Sequence, residues 1–470
     1  MLPPHLRLNR VVLAVILLGN AVAFAGVDPP TRIVTAALVV VLAAKLNQLP
    51  NIPRTHRQAA VVLAALLTVQ LVPLPLLIRR LIEPGLAGVL RPGWTPLSVA
   101  PWATLQSAAA LAVAAILALT AARIAATRSG LPMLLSMVAA TGTVVALLGL
   151  ATEHGLPGKV LLIRPNTVGG GPYGPFLNDN HFALAVELTL PAALALLAAA
   201  ARHLPLHGEA RRRGTVMLLA AAVATIIEAA ALLRCGSRGG ALFLALGFLL
   251  TLPLWTRRRR QTQWRWLVLA LIIVAGTSVF AWNRLPILQD RFNELFVLKG
   301  VEGNTRWDLW SGTVRLWLRS PVVGTGLGTY RYAIGLTKPP TGAMTLEQAH
   351  NDWLEWLSGG GLVVGAAVLL LLLGLVRALR PRRLGNLRFE YRYPLAATAV
   401  ALTAVALHEL VGFGLQNPLN RYLLAVWIGL VWGLERRPAT AETTEDVEDE
   451  EVPLQLPAAD QGPPEAADVG

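Results

Sequence analysis

The chain of 470 residues holds one cysteine, Cys235, so no intramolecular disulfide is possible and any exposed segment must be held by packing. Charged residues make up 14% and aromatic residues 6%, too little charge for an ordinary soluble surface. No spacing of His, Cys, Asp or Glu resembles a zinc or two-metal site, and no D-x-D-like pair falls on the face assigned below to the outside. Neither an internal repeat of fixed period nor a matching pair of interrupted apolar segments is present, and the latter would be expected of an inverted-repeat transporter.

What the chain does have is apolar length. Hydrophobic residues make up 54% and mean hydropathy is +0.55, which points to a polytopic membrane protein. Twelve runs are long enough to cross a bilayer as helices: 11–27, 33–49, 59–78, 102–122, 131–151, 182–201, 215–233, 239–256, 267–283, 359–376, 393–411 and 419–434. A membrane β-barrel would show about ten-residue segments of alternating polarity instead. The first run follows Arg7 and Arg10 and ends in Ala23-Phe24-Ala25, which imitates a signal peptide; eleven further runs make a retained anchor the simpler reading. With a cytoplasmic N-terminus, 24 of the 41 Lys and Arg lie on the inner side, and eight of the other 17 sit in the single segment 284–358. This is the positive-inside bias, and it predicts both termini in the cytoplasm. The net charge of +14 therefore reports membrane topology rather than nucleic-acid binding. Residues 438–470 hold ten acids, five prolines and no Lys or Arg, the composition of a disordered acidic tail.

Nearly every unusual polar group then falls on the outer face. In NTVGGGPYGPFLNDNHFALAVELTLP (166–191) four glycines and two prolines within 169–175 predict turns, and Asn178 or Asp179 can cap the next helix. Loop and cap do not explain His181 and Glu187, which continue into the apolar run, where a carboxylate is expensive unless paired or functional. In LLRCGSRGG (232–240) Ser237 suits a helix N-cap, with Arg234 and Arg238 beside it. A cation is disfavoured at a helix N-terminus, so either a bound phosphate or anionic lipid headgroups would account for them. Trp307, Trp310, Val314 and Trp317 recur at helical spacing and predict an amphipathic surface helix over 304–321 carrying Arg306, Arg315 and Arg319. Gly324, Gly326 and Gly328 read as a turn, since no strand or βαβ unit accompanies them. QAHNDWLEW (348–356) predicts a second short helix over 345–358, in which Glu347, at i−3, would orient the His350 imidazole. A histidine beside outer arginines suits transfer of a group from an anionic leaving group.

GPYGPFLNDNHFALAVELTLP, SRGGALFLALGFL, RWDLWSGTVRLWLRSPVVGTGLGTY, HNDWLEWLSGGGLVVG and HELVGFGLQNPLN resemble, in order, the motifs of the O-antigen ligase and polymerase superfamily, over roughly 165–435. The resemblance implies an all-α fold of the GT-C type. It divides the chain into N-terminal helices (1–164), a catalytic membrane region (165–435) with a periplasmic loop (284–358), and the tail (436–470). It also implies an inverting, metal-independent glycosyltransferase of the bacterial inner membrane, working without a cofactor on the periplasmic side. The donor would be an undecaprenyl-diphosphate-linked glycan and the acceptor a hydroxyl of lipid A–core; in a polymerase the acceptor is another carrier-linked unit, and in related oligosaccharyltransferases a protein. By the same resemblance His350 matches the base, and Arg238 and Arg306 match the arginines that hold the diphosphate. Asn178 and Asn180 match an N-x-N pattern, and Asn351 the polar residue after the histidine. Val364 stands where glycine is commoner, and Arg234 is assigned to the diphosphate by position alone. The rival from another class, a transporter or flippase of lipid-linked sugars, would use Glu228 or His408-Glu409 for proton coupling.

Overall fold

A computed structural model of the chain describes residues 4–46, 49–86, 92–127, 129–153, 159–161, 163–165, 173–202, 208–255, 306–338, 346–380 and 389–434. The ninth apolar run, the cluster Arg257–Arg260, the glycines 169–171 and the acidic tail lie outside the described residues.

The α-helices in chain order are α1 (Pro4–Val22), α2 (Pro29–Ala44), α3 (Arg54–Leu71), α4 (Leu76–Ile82), α5 (Pro101–Ala125), α6 (Gly130–Glu153), α7 (Asp179–Arg202), α8 (Gly208–Arg234) and α9 (Arg238–Trp255). They continue with α10 (Arg306–Arg319), α11 (Tyr330–Ala333), α12 (Asp352–Ala378), α13 (Phe389–His408) and α14 (Pro418–Leu434). Helices occupy the other eleven apolar runs. By length and composition α5, α6, α7, α8 and α12 can each cross a membrane, and α2 and most of α9 are shorter apolar helices. The chain is a helical membrane protein. Its one described sheet is a ribbon of two residues a side, β1 (Lys159–Val160) against β2 (Arg164–Pro165).

Bonds between loops sort the two ends of the bundle. At one end Arg10 donates to Thr127 and Ser129, Arg123 to the Lys45 carbonyl, and Arg392 to the Leu254 carbonyl. At the other, Arg164 pairs with Asp28 at 2.7 Å, Val99 N donates to the Thr325 carbonyl, and Asn420 donates to the His181 carbonyl. The second end collects the segments assigned to the outer face.

The core forms around α7, whose residues Phe182–Ala195 are buried on all sides. That explains its near-continuous apolar sequence: α6, α8, α9, α13 and α14 all pack on it. Lipid offers no hydrophobic drive between helices, so close approach of small residues decides their contacts. On α14, Gly429 and Gly433 lie four apart and face the Ala118 and Ala122 carbonyls of α5, where a β-carbon would strike the backbone.

A helix break ties the outer segments to the bundle. Inside α12, Gly361 adopts φ 61°, ψ −160°, which interrupts the hydrogen-bond ladder. In an apolar surrounding each orphaned backbone group costs several kcal/mol, so the break persists only if something else pairs with it. The segment 321–327 does so. Leu362 N and Val363 N donate to the Pro321 and Val322 carbonyls, and Thr325 N and Gly326 N donate to those of Ser358 and Gly359. Gln70 of α3 locks the junction: its amide donates to the Val323 carbonyl at 2.6 Å and the Gly359 carbonyl at 2.9 Å, and accepts from Leu327 N at 3.1 Å. The turn expected at 324–328 is present, with Gly326 at φ 112°.

Gly361→Ala is therefore expected to lower the thermal unfolding midpoint in detergent. This backbone, open almost only to glycine, alone costs another residue about 1–3 kcal/mol, and the new β-carbon would also strike the Val322 carbonyl. Gly335→Ala, whose β-carbon meets open space, serves as the control and should change stability by less than about 0.5 kcal/mol. Equal midpoints for the two variants would show that the break anchors nothing.

Candidate functional site

The site is assembled from helix starts and the loops that enter them. Tyr173 and Phe176 pack edge-on against Phe182, with centroids 4.6 and 6.2 Å away, and this seats the loop ahead of α7. Asn178 then caps α7, its Oδ1 accepting from Asn180 N at 2.8 Å. Asn180 in turn accepts from Ser237 Oγ at 2.7 Å, and Ser237 caps α9 by accepting from Gly240 N at 3.2 Å. The two asparagines thus join the start of α7 to the start of α9, which places Arg238 at the first position of α9, half-buried. Arg234 ends α8 on the exposed side of the same three-residue turn.

Directly below this junction lies the partner of the intramembrane carboxylate. Glu187 Oε1 is 2.7 Å from His408 Nδ1, with both side chains buried. The imidazole's other nitrogen faces Gly239, 3.4 Å from where a β-carbon would stand. Glu228 accepts from Thr189 at 2.8 Å and from Thr143 at 3.3 Å.

Arg306 opens α10 and His350 closes the loop before α12, and the structure brings the two together. Arg306 Nη1 donates to the Val411 carbonyl at 3.0 Å, while its buried Nε has no partner. Burial lowers the Arg306 pKa. Two residues beyond Val411, Phe413 stands between two imidazoles, its centroid 4.5 Å from those of both His350 and His181. Such edge-on ring contacts contribute about 0.5–1.5 kcal/mol each beyond buried area. Burial first, and the Arg306 charge second, push His350 down to about 4, so its ring is neutral at pH 7. His181 lies near both His350 and His408, and its Nε2 is buried without a partner. A line of groups thus runs from Arg306 through His350, Phe413 and His181 to His408, beside which α9 begins.

His350 also has an unusual backbone, with φ 51°. A non-glycine residue there costs about 1–3 kcal/mol and persists only when its surroundings hold it. Two bonds to the preceding residue do so: Ala349 N donates to Glu355 Oε2 at 2.8 Å, and the Ala349 carbonyl accepts from Trp310 Nε1 at 3.1 Å.

Several expectations change. Residues 346–351 are not helical; α12 starts at Asp352 and runs through the apolar segment, with Asn351 as its cap accepting from Leu354 N at 3.0 Å. The i−3 relation between Glu347 and His350 therefore does not exist, and Glu347, exposed, faces Arg331 at 3.6 Å instead. The buried face of α10 is Leu309, Gly312, Thr313 and Leu316, rotated from the tryptophan stripe, and Trp307 stays 61% exposed. The helix expected over 304–321 is present as α10, and α12 and the 330–336 turn pack on its other face, which leaves Trp307 outward as on a surface helix. Sequence reasoning missed the loop 409–417, which brings Val411 to Arg306 and Phe413 to His350. It also missed Glu355, which stood in plain view as one of the two acids of QAHNDWLEW.

The depressed His350 value has a sign that can be checked. Between pH 6.5 and about 4 the unfolded chain binds a proton there that the folded chain refuses. That contribution to stability is complete above pH 6.5 and is lost as pH falls toward 4, amounting to about 3 kcal/mol. His350→Asn, a residue that tolerates this backbone, should flatten the fall in thermal midpoint between pH 7 and pH 4. An unchanged slope would show that His350 is not the group responsible.

Residues 220–370 match the family model described as O-antigen ligase, a stretch holding Arg234, Arg238, Arg306, Glu347, His350 and Asn351. No curated protein matches the chain significantly. Over that segment the family match supports the resemblance to the O-antigen ligase superfamily.

Proposed function

We propose that the protein is a glycosyltransferase of the inner membrane. It would transfer a glycan from undecaprenyl diphosphate to an acceptor hydroxyl of lipid A–core or a similar glycan on the periplasmic face. The observation that carries this reading is the approach of His350 and Arg306 inside the family-matched segment. In this reading Arg306 and Arg238, with Arg234 at the rim, hold the carrier diphosphate, and His350 accepts the acceptor's hydroxyl proton as the glycosidic bond forms. The donor's anomeric carbon inverts, and the diphosphate leaves with the bond's electrons, stabilised by the guanidinium groups rather than by a proton. No metal and no cofactor takes part.

The electrostatics support a coupling of binding to chemistry. Burial first and the Arg306 charge second hold His350 down to about 4, so it is a poor base while Arg306 is unneutralised. A diphosphate on Arg306 cancels the charge contribution, while that of burial stays, and so raises the imidazole pKa part of the way. The base would thus become competent when the donor is bound.

The test is transfer by purified protein given carrier-linked glycan and candidate acceptors. His350→Asn should lose about 100-fold or more in turnover, and normal turnover would remove it from the chemistry. Arg306→Ala and Arg238→Ala should weaken donor binding at least about tenfold each, and unchanged affinity would overturn the diphosphate assignment. Single capping of a lipid core marks a ligase, and chain extension marks a polymerase. Proton-coupled lipid movement without a new glycosidic bond would overturn the enzyme reading in favour of a flippase.

A further inference from the structure

We propose that Glu355, together with Trp310, is a positioning residue for His350: the pair grips Ala349 from both sides and so holds the left-handed turn that aims the imidazole at Arg306. The inference rests on the reading of His350 as the base and adds to it two residues that touch neither donor nor acceptor.

Glu355 sits in the first turn of α12, where a carboxylate is favoured by the helix dipole, and a merely structural residue could stand there for that reason. Its bonds argue for more. Oε2 accepts from the amide of Ala349, the residue immediately before the strained histidine. Oε1 accepts from Gln416 Nε2 at 3.2 Å, and the same amide donates to Asp352 Oδ1 at 3.0 Å. Gln416 belongs to the loop that carries Val411 and Phe413, so one carboxylate connects the histidine's backbone to the segment that carries its ring partner. Asp352 N closes the connection by donating to the Glu409 and Gly412 carbonyls, 3.1 Å each. From the opposite side Trp310 of α10 fixes the Ala349 carbonyl, and α10 begins with Arg306. The clamp therefore spans the three pieces of chain that must stay in register: the start of α10, the 346–351 loop and the 409–417 loop.

Two measurements on the purified full-length protein test this. One is the split of kcat and KM for carrier-linked glycan. The other, independent of activity, is the ring titration of His350 in histidine-labelled protein by NMR, assigned by the resonance lost in His350→Asn. Glu355→Leu should lower kcat by about 100-fold with KM for the donor within about twofold, as expected for a misplaced base. Its His350 ring, freed from Phe413, should titrate more than about one unit above the wild-type value, toward the exposed range. Glu355→Gln keeps an oxygen for the Ala349 amide and should stay within about fivefold of wild type, with an unshifted ring. Trp310→Phe removes only the other bond and should give a partial loss of about tenfold and a smaller upward shift, which keeps the test decisive if Glu355→Leu does not fold. An unshifted ring in both Glu355→Leu and Trp310→Phe would overturn the proposal, as would a loss in Glu355→Gln equal to that in Glu355→Leu. If wild-type protein transfers no glycan, the proposed function fails while the ring titrations still decide whether the clamp exists.

Discussion

The outer end of this protein hangs on the break at Gly361. A helix interrupted within a largely apolar bundle must find new partners for its freed backbone groups, and those partners come from residues 321–327, just beyond α10. Because several kcal/mol are at stake for each unpaired group, the docking is not optional. It fixes where α10 ends and thus how its first residue, Arg306, lies against the 409–417 loop. Gln70, contributed by a distant helix, makes three bonds into the same junction and leaves the loop little freedom to slide. Backbone satisfaction, rather than any attraction between site residues, brings Arg306 and His350 together.

Once they are together, the energies oppose each other. Burial and a neighbouring guanidinium both disfavour a charged imidazole, and the left-handed backbone adds a strain of about 1–3 kcal/mol. Against this stand two hydrogen bonds on Ala349, which together contribute about 1–3 kcal/mol. The terms are comparable, so the local geometry is held with little surplus. A site poised in this way is sensitive to an anion arriving beside Arg306.

Much of this was legible in the chain. Eleven apolar runs became helices, and the Gly-rich turn, the Ser237 cap and the Asn178 cap fell where spacing and residue type put them, because each depends on contacts a few residues away. His350 and Arg306 stood out as polar groups that topology did not require. What could not be read was long-range pairing. Nothing local tells that Glu187 meets His408, 221 positions later, or that Val411 meets Arg306, 105 positions away. The expectation at Glu347 fails for the same reason: the expected helix begins seven residues before α12, and the non-helical turn that stands there is held by Trp310 of another helix as well as by Glu355.

The tryptophans sharpen the point. As a stripe on α10 they read as membrane anchors, and Trp307, exposed, still fits that description. Trp310 is half-buried, and its indole N–H reaches a carbonyl beside the histidine. Trp353, in the next segment, donates to the Ala406 carbonyl of α13 at 3.1 Å, so it also joins the α12 start to the outer end of the bundle. An indole gives both a large apolar face for the lipid boundary and a single directed donor, and a lone donor can pin one backbone carbonyl without adding charge. For the proposed enzyme, whose working groups would be cations and a neutral imidazole, that economy matters: the loops must be held firmly at the water–lipid boundary while the charges are left for the substrate.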